Sequence, residues 1–173
     1  MSNPVLQAIA ERRSIRGYKA EQISKEQLDL LLKAAEQAPS ARNDQPWHFS
    51  VVQNAAIIAE VNAEANKHLG REGDIFYAAP TVIFLSCDHT KRWGMHDCGI
   101  AVENIALAAH ALGLGSVILG LPEPAFTGER KEYFNTLLKF PEGYDFAICI
   151  AIGIPTTSKD AHPIQPGRIS FVD

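Results

Sequence analysis

The chain of 173 residues has no uninterrupted apolar run of the roughly 20 residues that a membrane helix needs. Its nearest stretch, residues 105–122, is broken by His110, Gly113, Gly115 and Gly120 and reads as a helix, a turn and a strand. An excess of positive charge is missing as well: 16 Lys and Arg stand against 20 Asp and Glu, a net charge of −4. That balance argues against a nucleic-acid protein, whose surface is usually basic, and still permits a local basic pocket. Cysteine is scarce. Cys87, Cys98 and Cys149 are odd in number and lack C-x-x-C spacing, the usage of reduced thiols in a cytosolic protein, and a cytoplasmic location is expected. The segment Met1-Ser2-Asn3-Pro4-Val5-Leu6 has no charged region ahead of an apolar core, so no signal peptide is expected.

Several chemical signatures are absent too. No G-x-x-x-x-G-K phosphate loop and no G-x-S-x-G nucleophile elbow occurs. Gly113, Gly115 and Gly120 lack the G-x-G-x-x-G spacing, and they follow a helix and open a strand, the reverse of a dinucleotide-binding turn. Cys87, His89, His96, Asp97 and Cys98 lie close in sequence, but their spacing fits no usual zinc pattern, and no metal is expected. There is no repeat and no low-complexity tract.

The length suits one domain, residues 1–173, burying about 70% of its unfolded surface without a staple. Helices are expected at 3–12, from Ser24 to Pro39, at 54–69, at 96–112 and at 128–139. Ser24 with Gln27 forms a capping box, and Leu28, Leu31, Leu32 and Ala35 follow helical spacing. Strands are expected at 47–53, 81–87, 116–119 and 146–154; the second and last are continuous apolar runs, as in strands buried on both faces. The alternation favours a layered α/β or α+β fold. The helix at 96–112 is apolar almost all round, so a second subunit is a plausible source of its cover. The tail, 155–173, carries Ile164, Ile169, Phe171 and Val172 as apolar anchors and is expected to cross over another surface, a partner subunit being one candidate.

Two segments and one residue carry candidate chemistry. Arg12, Arg13, Ser14 and Arg16 could bind a phosphate, since arginine presents a planar fork of donors and keeps its charge; a solvated basic turn is the other reading. An extended backbone would put Ser14 and Arg16 on one side. Pro39, Ser40, Ala41 and Asn43 could offer backbone and amide contacts to a polar planar ligand; taken alone, the segment reads as an ordinary helix-ending loop. Arg168 is a lone arginine near the end.

Taken together, these segments resemble the nitroreductase family of FMN-dependent NAD(P)H oxidoreductases. The resemblance rests on Glu11-Arg12-Arg13-Ser14-Ile15-Arg16 and, most specifically, on Ala38-Pro39-Ser40-Ala41-Arg42-Asn43-Asp44-Gln45-Pro46-Trp47. Phe76 to Pro80, Asp97 to Ala101, Gly113 to Ser116, and Gly153-Ile154-Pro155 followed by Arg168 extend it over nearly the whole chain, in order. It implies an α+β, three-layer α/β/α fold with a central, mostly antiparallel sheet. It also implies a homodimer with packed central helices, a domain-exchanged C-terminal arm over the partner, and FMN at the subunit interface.

Carried over by residue, the resemblance implies that Arg12, Arg13, Ser14 and Arg16 hold the FMN phosphate and ribityl chain and that Arg168 completes the phosphate site. Pro39, Ser40, Ala41 and Asn43 would line the flavin ring from the partner. Leu119 and Gly120 would lie beside the ring, with a backbone N–H near N5. NAD(P)H would pass a hydride to N5, and a nitroaromatic, quinone or similar acceptor would then take it, in ping-pong order. No catalytic side chain is implied. Larger relatives carry an asparagine and a lysine before the buried strand; here the loop reads Gly70-Arg71-Glu72-Gly73-Asp74, with Arg71 as a candidate replacement for the cation. Arg71, Trp93 and His96 otherwise read as surface or packing residues. Two alternatives stand beside this reading: reductive dehalogenation or flavin fragmentation on the same fold, and a non-enzymatic FMN-binding or redox-sensing protein.

Overall fold

A computed structural model describes residues 3–172. Met1, Ser2 and Asp173 lie outside the described residues, and with them the first positions of the N-terminal expectation and the last of the arm. In chain order the elements are α1 (Pro4–Glu11), α2 (Lys25–Glu36), β1 (Trp47–Val52), α3 (Ala55–Leu69), β2 (Thr81–Asp88), α4 (Gly94–Ala111), β3 (Gly115–Leu119), α5 (Lys131–Leu137) and β4 (Tyr144–Gly153). Short 3-10 turns stand at Ala41–Asn43 and Glu123–Phe126. The four strands form one sheet in the order β1-β2-β4-β3, and every pairing is antiparallel.

Alternation along the strands builds two cores. Val82 and Phe84 of β2, Phe146, Cys149 and Ala151 of β4, and Val117 and Leu119 of β3 face α3 and α5. Ile83, Leu85 and Cys87 of β2 and Ile150 and Ile152 of β4 face α2 and α4. Successive side chains point to opposite faces, so covering both faces requires the unbroken apolar runs seen in the sequence. Phe126 links the first core, stacked on Phe146 with ring centroids 4.6 Å apart.

Local sequence explains most boundaries. The Asn3 side chain accepts the Val5 and Leu6 N–H groups at the start of α1. The capping box of Ser24 and Gln27 is formed in full. Gly113, at φ 72°, turns the chain out of α4 in a conformation that disfavours a side chain. Several boundaries need correction: α2 stops at Glu36, ahead of Pro39, and β4 opens at Tyr144, two residues before the expected start at 146. Helix α4 begins at Gly94, ahead of His96; a Cβ at Gly94 would overlap the Cys87 Sγ, so glycine lets the first turn sit against the end of β2. Helix α5 spans Lys131–Leu137, shorter than 128–139. Gly128 is held against the His68 ring at its entry, and Lys139 adopts φ 57° just past its end.

Two apolar surfaces stay open. Helix α1 buries no residue, and Val5, Leu6 and Ile9 are more than half exposed. The tail starts on a bridge between Tyr18 and Pro155 and then runs without regular structure. Ile164, Ile169, Phe171 and Val172 are 78–94% exposed, so the expected anchors find no cover within the chain.

Candidate functional site

After α1 the chain extends along β3. Ser14 forms a parallel bridge with Ser116, and the Ile15 N–H donates to the Ser116 carbonyl at 2.9 Å. The close approach depends on Gly115, where a Cβ would sit 3.0 Å from Ile15 and from Pro155. Ile15 packs on the first core, while Arg16 stays exposed over the Tyr77 ring at 5.6 Å. Arg12 Nε lies 3.2 Å from Glu103 Oε1 on α4. The Arg13 guanidinium donates to the Arg12 and Ala10 carbonyls at 2.5 and 2.7 Å, closing the C-terminus of α1. A cleft of about 310 Å³ lies here, lined in part by Arg12, Arg13, Ser116 and Lys159.

The second segment is a strained loop. Arg42, Asn43 and Gln45 have φ of 57°, 58° and 46°, the left-handed region that costs a non-glycine residue on the order of 1 kcal/mol. Strain of this kind collects where a loop is held for a purpose. The restraints are visible. Asp97, buried at the first turn of α4, accepts the Ala41 N–H at 3.2 and 3.3 Å. Ser40 Oγ accepts the Gln45 N–H at 3.0 Å, and Asn43 Oδ1 accepts from Gln45 Nε2 at 3.1 Å. Lys91 Nζ stands 3.4 Å from Asp44 Oδ2. Pro39 and Asn43 are exposed and Ser40 and Ala41 half-buried.

Leu119 is buried at the end of β3, opposite Cys149. Gly120 is exposed, and its carbonyl accepts the Glu123 N–H at 3.0 Å as the chain enters the 3-10 turn. Arg168 sits on the exposed tail, donating to Gln165 at 2.9 Å; it does not line the cleft beside Arg12. The structure therefore brings the Arg12–Arg16 segment to β3 and the Ala41 loop to α4. It does not bring Arg168 to either within one chain.

The sequence reading passed over several residues that organise these loops. Asp74 accepts the Phe76 and Ala78 N–H groups at 2.8 and 2.6 Å and holds Tyr77 and Ala78 at φ 59° and 58°. Asp97, expected to be no metal ligand and otherwise only the first residue of the Asp97–Ala101 segment of the resemblance, anchors the Ala41 loop. An acid in the first turn of α4 was the available signal. Burial pushes the Cys87, Cys98 and Cys149 thiols up, which disfavours thiolate chemistry.

Four antiparallel strands between two helical layers, with a cationic N-terminal segment on one edge strand and a strained polar loop tied to α4, define an α+β scaffold with two candidate binding segments. A family model described as the Nitroreductase family matches residues 9–154, and the chain belongs to that family. A relative named "Putative NADH dehydrogenase/NAD(P)H nitroreductase" from Archaeoglobus fulgidus is 38% identical over 173 residues, covering 95% of each chain. A nitroreductase with bound FMN from Desulfitobacterium hafniense DCB-2 superposes with a TM-score of 0.92 at 37% identity, over 100% of both chains. A nitroreductase with bound FMN from Bacteroides fragilis NCTC 9343 has a TM-score of 0.91 at 29% identity, over 99% of this chain and 100% of that one.

Proposed function

We propose that the protein is an FMN-dependent oxidoreductase that carries a hydride from NAD(P)H to a nitroaromatic, quinone or similar acceptor. The likeness to the FMN-bound Desulfitobacterium hafniense structure, complete over both chains, is the observation that carries this reading. The donor set fits the group. Arg12, Arg13 and Arg16 fall within five positions beside Ser14, and of the three only Arg12 has a carboxylate partner among the described residues. An arginine cluster of which only one member has a carboxylate partner, next to a hydroxyl, suits a phosphate dianion.

Bound FMN would supply the two-electron chemistry, accepting a hydride in one half-reaction and giving it up in the next. The chain supplies position. Arg12, Ser14 and Arg16 would grip the phosphate and ribityl end, with Arg168 arriving from the tail. Pro39, Ser40, Ala41 and Asn43 would wall the ring, held rigid by Asp97. Leu119 and Gly120 would lie beside the ring and would offer it a backbone N–H.

A second copy of the chain completes this reading. Val5, Leu6 and Ile9 on α1, Ile100 on α4 and the apolar residues of the tail are exposed, and surfaces of this kind mark association sites. A homodimer would cover them and would bring the Ala41 loop of one copy to the flavin of the other. The test is flavin content: protein purified with FMN should show the oxidised-flavin absorbance at about one flavin per chain and sediment as a dimer. A colourless monomer that cannot be reconstituted with FMN would remove the proposal.

A further inference from the structure

A second cavity, of about 330 Å³, lies against the outer side of the Ala41 loop. Arg42, Asp44, Lys91, Arg92, Trp93 and Asp97 line it. A cavity of this size has room for a phosphate and an adjoining sugar.

Its charges do not cancel. Asp97 is engaged by the Ala41 N–H, and Asp44 is paired with Lys91. Neither Arg42 nor Arg92 has a carboxylate partner among the described residues. Arg92 instead lies over the Trp93 ring at 4.8 Å, and His96 meets the edge of that ring at 5.5 Å. Trp93 is 49% exposed, so its ring is open to a ligand at the mouth of the cavity. Arg42 is presented from φ 57°, a conformation the surrounding hydrogen bonds enforce. The Arg42 guanidinium, the Arg92 guanidinium stacked over Trp93 and the exposed indole form an anion subsite with an aromatic platform, beside the Lys91–Asp44 pair.

We propose that this cavity receives the phosphate-bearing part of the nicotinamide nucleotide while its reducing end visits the flavin. The assignment rests on the functional reading above, since Ala41 belongs both to the predicted ring wall and to the cavity rim. It gives the chain a docking point for a phosphorylated donor without a dinucleotide motif. Arginine forks bind phosphate oxygens in pairs, and the indole offers a stacking surface for a base. A 2′-phosphate adds charge at the same place, so NADPH should be favoured over NADH.

The test is direct binding of NADP⁺ and NAD⁺ to the protein as purified, by titration calorimetry at two salt concentrations. Absorbance of bound flavin is read on the same samples. The double variant Arg92→Ala/Trp93→Ala, which leaves the Lys91–Asp44 pair in place, should weaken NADP⁺ binding by about tenfold or more and flatten its salt dependence, with flavin content unchanged. Arg42→Gly, which suits a positive φ, should act in the same direction. Lys25→Ala, on the far end of α2, should change nothing. Unaltered NADP⁺ affinity in the folded double variant overturns the proposal. So does a rise confined to the KM of a carboxylated acceptor such as 4-nitrobenzoate, because that places the anion site on the acceptor. A protein that loses NADP⁺ binding in the variant but never held FMN would sustain the subsite and refute the flavin reading instead.

Discussion

The Asp97 carboxylate accepts the Ala41 N–H through both oxygens, at 3.2 and 3.3 Å, and so ties the first turn of α4 to a loop 56 residues earlier in the chain. Three residues of that loop sit at positive φ, and this bond is one of the few that hold them. Asp97→Ala leaves the Ala41 donor without its partner in a half-buried position. It should destabilise the fold by about 1–3 kcal/mol. It should also weaken FMN retention, because the ring wall loosens. Urea midpoints and flavin dissociation constants measured on the same variant check both effects; unchanged flavin affinity in a destabilised protein would detach the loop from the cofactor.

Gly94 is packed against the Cys87 Sγ. Gly94→Ala should cost about 1–3 kcal/mol, the range for forcing an extra carbon into a filled core. Adding Cys87→Ala to Gly94→Ala should restore part of the loss, since it removes the atom the methyl meets. Thermal unfolding of the single and double variants reads the coupling. Strictly additive losses would place the strain elsewhere.

A charged cluster joins α3 to α5. Glu64, 6% exposed, accepts from Arg130 Nη1 at 3.1 Å and lies 3.0 Å from His68 Nε2, while Arg130 also reaches Glu60 at 2.7 Å. Burial alone would raise the Glu64 carboxyl; the bonds from Arg130 and His68 outweigh it and hold the group below its ordinary value. A carboxyl depressed in the folded state contributes its stability in full above the unfolded value and loses it as pH falls through the folded one. Wild-type protein should therefore lose stability on acidification below about pH 4.5 more steeply than Glu64→Gln. Arg130→Ala should lower stability at neutral pH, by less than the loss of a fully buried pair, because the Arg130 side chain is 40% exposed. Denaturant midpoints at a series of pH values test this, and parallel curves for wild type and Glu64→Gln would count against it.

Arg12→Ala and Arg168→Ala should each weaken FMN binding by roughly tenfold, the scale of one lost charge-assisted contact. Arg168 is the sharper case. Within one chain it donates to Gln165, forms no ion pair among the described residues and does not line the Arg12 cleft, so an effect on flavin would come through a partner copy. Removing residues 164–172 should lower both dimer content and flavin content, read by sedimentation and absorbance. A truncated protein that stays dimeric and yellow would dismiss the arm.

The fold was largely legible because its signals are local or periodic. The capping box at Ser24, the apolar runs of β2 and β4 and the turn at Gly113 each act through near neighbours, and each appears where the residues place it. The start of α4 was missed because it depends on Cys87, a contact that no periodicity encodes. The end of α5 was missed because Lys139 adopts a left-handed conformation that lysine does not advertise. Of the candidate site, the cationic segment and the Pro39–Asn43 loop could be named from residue type. Asp97, Asp74 and the Lys91–Arg92–Trp93 rim could not, since their roles follow from which distant loops they meet. Burial sorted the cysteines and histidines as well: Cys98 is fully buried while His89 and His96 are exposed, so residues close in sequence face different surroundings.

The central claim is that this chain holds FMN and exchanges a hydride through it. Its most direct test is the visible absorption spectrum of the purified protein, recorded without oxygen before and after NADH or NADPH is added. The account predicts a yellow protein that bleaches, with NADPH acting at the lower concentration, and that recovers its colour when a quinone or nitroaromatic is supplied. A yellow protein that stays oxidised with both donors would contradict the activity, and a colourless one that takes up no FMN would contradict the cofactor.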